Sequence, residues 1–253
     1  MKLNFNLPLN STSFGQTSVM ILRTLFDEMC IRDSDRRTPT FKLWHLNGGL
    51  DSVSEKQTLL SFYELDEPTR SEINAVKNNK TLFSSSFSIE NFASKGASSS
   101  FLHLGFDDYN FKKTNKNYFG NERITFNLCG KFEKRKNHHK TISAWIKKYK
   151  NNHNYFLQCA IYNPFLSGEA NNNVVNNILK GEKPFNVNFL PFLEKNSLYN
   201  DFLNSSDIIL GMSGGEGWGL PEFNSVCLGK HAVIMNAHSY KDWANDENSI
   251  LVK

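Results

Sequence analysis

The sequence predicts an α/β protein with two parallel-sheet domains, and three observations carry that expectation. Short apolar runs alternate with stretches of helical period along the whole chain, the pattern of βαβ units. A polar stretch at 107–121, poor in β-branched residues, divides the alternation in two. With 253 residues, 39% hydrophobic and 13% aromatic content, the chain can build a substantial core, which excludes collagen-like, disordered and mini-protein classes.

In the first half, Leu3 to Leu7 reads as a short strand, and Asn10-Ser11-Thr12-Ser13-Phe14-Gly15 is a turn-rich break after it. Val19, Leu22, Phe26 and Met29 recur at three- and four-residue steps and predict a helix. A strand at Phe41 to Leu46 is closed by Asn47-Gly48-Gly49. Then come a helical stretch around Arg70 to Val76, a strand at Thr81 to Ser84, a helix at Ile89 to Ala93 and a strand at Phe101 to Leu104. The expected division is a domain at 1–110, a linker at 111–121 and a second domain at 122–253.

The second half alternates more cleanly. Ile124 to Cys129 is a buried strand, and Ile142, Trp145, Ile146 and Tyr149 share a helix face. Strands follow at Tyr155 to Tyr162, Val187 to Leu190, Ile208 to Met212 and Ala232 to Met235. Helices are expected at Leu198 to Leu203 and Pro221 to Leu228. Two α/β halves around a linker make a cleft, and ligands of such sheets sit beyond the carboxyl ends of the strands. Met29-Cys30-Ile31-Arg32-Asp33-Ser34 resembles translated sequencing-adapter sequence, which implies a missing strand–helix pair before Phe41; an ordinary polar loop is the alternative.

Composition narrows the class further. Lys and Arg total 29 against 25 Asp and Glu, a net charge of +4. That excess suits an anionic ligand but falls short of the imbalance usual in nucleic-acid binders, and Lys131 to Lys140 lacks the interleaved aromatics that stack bases. Cys30, Cys129, Cys159 and Cys227 show no C-x-x-C spacing, so reduced, mostly buried thiols are expected. No stretch suits a membrane helix or signal peptide, which predicts a soluble cytoplasmic protein. The abundant asparagines, as in Asn171-Asn172-Asn173 and Asn176-Asn177, read as surface-loop residues.

The chemistry concentrates in two loops. Ser213-Gly214-Gly215-Glu216-Gly217-Trp218-Gly219-Leu220-Pro221 lies between a strand and a helix, with Pro221 at the helix start. Glycines let backbone approach a ligand closely, and the freed N–H groups with the helix N-terminus suit a diphosphate. Glu216 would repel phosphate, so it reads as an acceptor for hydroxyl donors such as those of a sugar. Gly130-Lys131-Phe132-Glu133-Lys134-Arg135-Lys136-Asn137 follows the strand ending at Cys129. Its Lys131 and Lys136 can converge on one anion; a solvated basic run is the alternative. His138 and His139 read as surface residues that make a poor metal pair.

Taken together, Gly130-Lys131…Lys136-Asn137, Ser206-Asp207-Ile208-Ile209-Leu210 and Gly215-Glu216-Gly217-Trp218-Gly219-Leu220-Pro221-Glu222-Phe223-Asn224 resemble the donor half of GT-B glycosyltransferases of family 4, the group 1 glycosyl-transferases. The resemblance covers 121–253 well, and Gly15 and Leu82 to Phe106 more loosely. It implies two Rossmann-like domains, the N-terminal one abbreviated and the C-terminal one incomplete. It also implies retaining transfer of a sugar from a nucleotide-sugar donor, with no cofactor and no required metal. Glu216 would contact sugar hydroxyls, while Gly130, Gly215, Gly217, Trp218, Gly219 and Leu220 would line the donor. Lys131 stands where the family carries arginine and Lys136 where it carries lysine, both on the diphosphate. The family's second acid, on the ribose, falls on Asn224, whose amide accepts more weakly than a carboxylate.

Gly15, with Ser13 and Phe14, would face the donor or acceptor across the cleft, unless it is a plain helix entry. His45, Glu64 and Asp66 are acceptor-side candidates, each with a structural or solvated alternative. Family members continue beyond the strand at Ser249 to Lys253, so the chain is expected to be truncated. The alternative function is then a fragment that binds nucleotide or nucleotide sugar without transferring it.

Overall fold

The computed structural model describes residues 3–10, 12–25, 36–52, 54–115, 119–120 and 122–253. The chain divides into two compact units: Met1–Gly105 with Glu216–Trp218, and Phe106–Gly215 with Gly219–Lys253.

The first unit holds β1 (Asn4–Asn6), α1 (Ser13–Thr24), β2 (Thr40–Leu43), β3 (Gln57–Ser61), α2 (Arg70–Lys77), β4 (Lys80–Phe83), α3 (Ser86–Ser94) and β5 (Ser100–Phe101). Its sheet is wholly parallel in the order β1-β2-β3-β4-β5. The helix expected from Val19 onward starts earlier, at Ser13, and Gly15 lies in its first turn; Phe26 and Met29 to Ser34 lie outside the described residues. α2 begins on a capping box in which the Thr69 hydroxyl accepts from the Glu72 amide and the Glu72 carboxylate accepts from the Thr69 amide.

Strand β3, which the sequence reading passes over, sits in the middle of this sheet. Adjacent Leu59 and Leu60 are both buried, on opposite faces. A strand covered on both sides has no apolar–polar alternation to give it away.

Leu59 and Phe83 pack with Ala75 and Val76 of α2 and Phe92 of α3. The other face carries Phe41, Leu43, Leu60 and Leu82, packed with Phe14 and Ile21 of α1. Every step through the sheet runs the same way, so crossovers on opposite faces have opposite hands.

The second unit holds β6 (Ile124–Cys129), α4 (His138–Tyr149), β7 (Tyr155–Ala160), α5 (Gly168–Leu179), β8 (Val187–Phe189), α6 (Asn196–Asn204), β9 (Ile208–Gly211), α7 (Leu220–Cys227), β10 (His231–Met235) and β11 (Ser249–Val252). The parallel order β8-β7-β6-β9-β10-β11 winds outward in both directions from β6 and β9. Ile142, Trp145 and Ile146 of α4 and Ile178 of α5 cover Phe126, Leu128 and Leu157 on one face. Phe202 and Leu203 of α6 cover Ile209, Ala232 and Ile234 on the other. Each such buried aliphatic or phenyl group contributes about 1.5–3 kcal/mol. The order of strand addition reverses between β6 and β9, and that switch point is where an open α/β sheet presents a crevice at its carboxyl edge.

Asparagines correct the surface-loop expectation. Asn186 is 0% exposed and donates to the carbonyls of Tyr149, Asn152 and Tyr155, tying the α4–β7 turn to the start of β8. Buried Asn127 donates to the Phe202 carbonyl and accepts from Gln158, which also donates to the Ser205 hydroxyl. Asn200 and Asn204 of α6 accept from the amides of Lys112 and Thr114, while Phe111 enters the α6 core. An amide carries both donors and an acceptor, so it satisfies buried backbone groups that an apolar side chain would strand.

Candidate functional site

At the carboxyl end of β6 the chain turns through Gly130, whose φ of +105° is open only to glycine at low cost. A Cβ at that position would lie 3.4 Å from both Cε and Nζ of Lys136. The missing side chain therefore leaves the place over the strand end into which Lys136 folds back. Lys134–Lys136 form one tight helical turn, and Asn137, left-handed at φ 54°, redirects the chain into α4. Lys136 is 8% exposed, so the lysine at the end of the basic run is largely withdrawn from solvent.

Two further residues of this stretch have partners within the second unit. Lys131 pairs with the Glu133 carboxylate at 2.8 Å, and its ammonium lies 5.1 Å from the centre of the Phe165 ring. His138 is buried, with Nε2 3.3 Å from the Cys129 carbonyl, which corrects its surface reading. As the first residue of α4 it packs inward, whereas His139 is exposed.

The loop after β9 is fastened to the first. The Gly214 amide donates to the Arg135 carbonyl at 2.8 Å, and the Arg135 guanidinium donates to the Gly215 carbonyl at 2.6 Å. Asn137 donates to the Met212 carbonyl at 2.9 Å, and the Ser213 hydroxyl to the Gly215 carbonyl at 3.0 Å. Arg135 and Asn137, unmarked in the sequence reading, thus hold the two loops of the switch point side by side. Gly130, Lys131, Lys136 and Gly215 are brought to one edge of the sheet.

Gly219 caps α7 at φ +80°, and Pro221 sits in the first turn as expected. A Cβ on Gly219 would strike the Tyr240 ring, and one on Gly211 would lie 2.7 Å from Cγ of Glu222. Both glycines let α7 approach the sheet closely enough to bury Glu222 and Asn224. The helix start, with Leu220 as its first residue, gives the same unit a positive dipole end after β9.

Glu222 was missed because its position matches neither acid of the glycine–glutamate signature. Its charge and, above all, burial push the Cys129 thiol up to about 12. The Tyr199 hydroxyl is likewise raised by burial, then by Cys129 and Glu222. Cys129 and Cys159 are buried, but Cys227 is exposed, and Cys30 lies outside the described residues. A maleimide at pH 7.5 should therefore modify Cys227 in the native protein and reach Cys129 and Cys159 only in denaturant. Peptide mass spectrometry reads this, and native labelling of Cys129 would contradict its burial.

In the first unit, the candidates cluster after successive strands. Gly15 follows β1 and lies under the Asn10 carbonyl, close enough that a Cβ would collide with it. His45 follows β2, and its ring lies 4.3 Å from that of Phe14, which also meets Phe62 at 4.8 Å. Glu64 and Asp66 follow β3, Glu64 half-buried and Asp66 exposed. Within this unit the Glu216–Trp218 tripeptide is held by residues the sequence reading did not single out. The Ser84 hydroxyl donates to the Gly217 carbonyl at 2.6 Å, and a Cβ on Gly217 would lie 2.7 Å from that of Phe62. The Trp218 indole meets His103 edge-on at 5.8 Å. Glu216 and Trp218 are each 4% exposed.

Among the described residues, no three His, Cys, Asp or Glu side chains gather as a metal site, and no helix is long and apolar enough to cross a membrane.

No protein-family model matches the sequence, and no curated protein is similar to it in sequence. Solved structures do match. Sucrose-phosphate synthase from Thermosynechococcus elongatus has a TM-score of 0.69 at 11% identity, over 85% of this chain and 60% of its own. Anabaena Alr3699/HepE, solved with UDP and glucose, has a TM-score of 0.67 at 13% identity, over 96% of this chain and 70% of its own. The α,α-trehalose 6-phosphate synthase of Burkholderia multivorans has a TM-score of 0.65 at 11% identity, over 94% and 65%. The chain thus spans about 60–70% of the length of these proteins. The likeness establishes the fold, two parallel-sheet α/β domains of the GT-B type, as the sequence led us to expect.

Proposed function

We propose that this chain is a glycosyltransferase moving a sugar, with retention, from a nucleotide-diphosphate sugar to a hydroxyl acceptor. The observation that carries the reading is Lys136, nearly buried over the end of β6, in a loop hydrogen-bonded to the glycine-rich loop after β9. A largely buried lysine at the switch point of a doubly wound sheet suits a diphosphate. UDP, present in the Anabaena structure, is the first nucleotide to test.

In this reading, the bond between the anomeric carbon and the diphosphate oxygen loosens and charge grows on the leaving diphosphate. Lys131, Lys136 and amides of Gly215 and the α7 start meet that charge; one such preorganised donor is worth about 3 kcal/mol in the transition state. Glu216 accepts from donor-sugar hydroxyls and the Gly217–Leu220 backbone holds the sugar, while Asn224 accepts from a ribose hydroxyl. The departing diphosphate takes the acceptor's proton, so neither a protein base nor a metal ion is required. Gly15, His45, Glu64 and Asp66 belong to the acceptor side, and the protein acts in the cytoplasm.

The test is release of nucleotide diphosphate from UDP-, GDP- and ADP-sugars, with and without sugar, lipid and glycan acceptors and with EDTA present. A thermal-shift screen of the nucleotides accompanies it. A nucleotide at about 100 times its dissociation constant adds roughly 2.7 kcal/mol of stability. No shift with any nucleotide would contradict the donor site. Binding without release in any acceptor mixture would select the second reading, a nucleotide-sugar-binding chain without transfer, which Asn224 at the place of an acid favours.

A further inference from the structure

Between Lys131 and Lys136 of the basic loop lies a carboxylate that this chemistry does not call for. Glu133 places Oε1 2.8 Å from the Lys131 ammonium and Oε2 3.1 Å from the Arg135 guanidinium. The Lys131, Glu133 and Arg135 side chains are 39%, 29% and 22% exposed, so the pairing is partly screened from solvent rather than a fully hydrated surface contact. Arg135 also donates to the Gly215 carbonyl, so the carboxylate is fixed to both loops of the switch point at once. Two cations held at either oxygen of one planar anion form the arrangement that a phosphoryl group would otherwise engage.

We infer that Glu133 is an internal counter-anion that competes with the donor's diphosphate for Lys131 and Arg135 and so sets how tightly the site holds its nucleotide. This rests on the proposed donor site and adds an affinity-determining residue to it. For the diphosphate to use Lys131, the Lys131–Glu133 pair must part, with the ammonium swinging on its four-carbon stem from the carboxylate toward the phosphoryl oxygens. Glu133 weakens binding of both substrate and released nucleotide diphosphate, which favours product departure. The Phe165 face, 5.1 Å from the same ammonium, keeps Lys131 near the loop during the exchange.

The test compares wild-type protein with Glu133→Gln, which keeps the side chain's size and hydrogen-bonding reach while removing its charge. Glu182→Gln, at an exposed acid paired with Lys150, controls for net charge alone. Calorimetric titration with inorganic pyrophosphate and with UDP reads the dissociation constants. Glu133→Gln should bind pyrophosphate at least fivefold more tightly than wild type, while Glu182→Gln stays within twofold. Equal or weaker binding by Glu133→Gln, or the same gain from both variants, overturns the inference. If the wild type binds and Glu133→Gln binds no better, only the counter-anion role falls. If neither folded protein binds either probe, the donor-site reading falls with it.

Discussion

Replacing Lys136 with Ala is expected to lower turnover by more than tenfold and leave the fold intact. Each tenfold loss corresponds to about 1.4 kcal/mol of transition-state stabilisation, and a lysine only 8% exposed at the switch point should supply more than that. Lys136→Arg tests geometry separately from charge. It keeps a cation but brings a planar fork into the place left by Gly130, where a Cβ would already lie 3.4 Å from the lysine's end. It should recover only part of the loss. Steady-state kinetics with a saturating donor, alongside circular dichroism and melting, read both variants. Near-normal turnover in Lys136→Ala would remove the lysine from the chemistry.

The second large effect is on stability. Gly219→Ala should destabilise the protein by about 3 kcal/mol. Holding an L-residue in the left-handed region costs about 1–2 kcal/mol, and Gly219 has φ +80°. The added methyl also points into the Tyr240 ring, itself 1% exposed and packed against Trp243, so overpacking adds about 1–3 kcal/mol. Because Gly219 caps α7, nucleotide affinity should fall with stability. Urea denaturation measures the first and calorimetry the second. A loss well under about 1 kcal/mol would mean that the cap is not strained in this way.

Much of this was legible in the sequence, and the reasons for the gaps are physical. The strand–loop–helix frame of the second unit shows because its strands are continuous apolar runs and its glycines mark the turns. Strand β3 does not show, since Gln57-Thr58-Leu59-Leu60-Ser61 is short and buries neighbouring leucines on opposite faces. Helix α5 was also missed: Asn171 to Asn173, Asn176 and Asn177 have poor helical propensity. Tertiary packing overrides that, with Ile178 in the core and the Ser167 hydroxyl accepting from the Ala170 amide at the start.

In the site, spacing singled out Lys131, Lys136 and the glycines because they follow the carboxyl ends of two strands, where such sheets place their ligands. It could not single out Arg135, Asn137 or Glu222, whose roles come from contacts across the loops and from burial. Ser84 and His103 are farther still from any local signal, separated from the tripeptide they touch by more than a hundred residues of chain. The sequence likewise offered Lys131 and Lys136 as a pair converging on one anion, or a solvated basic run, with no partner assigned to Glu133. Glu133 already engages Lys131 and Arg135, and only coordinates reveal that.

The most direct measurement is a crystal structure of the protein with the nucleotide diphosphate that raises its melting temperature most. The expected result is a diphosphate at the carboxyl edge of β6 and β9, with an oxygen within about 3.2 Å of Nζ of Lys136. A fully occupied nucleotide elsewhere on the molecule, with Lys136 untouched, would contradict the account.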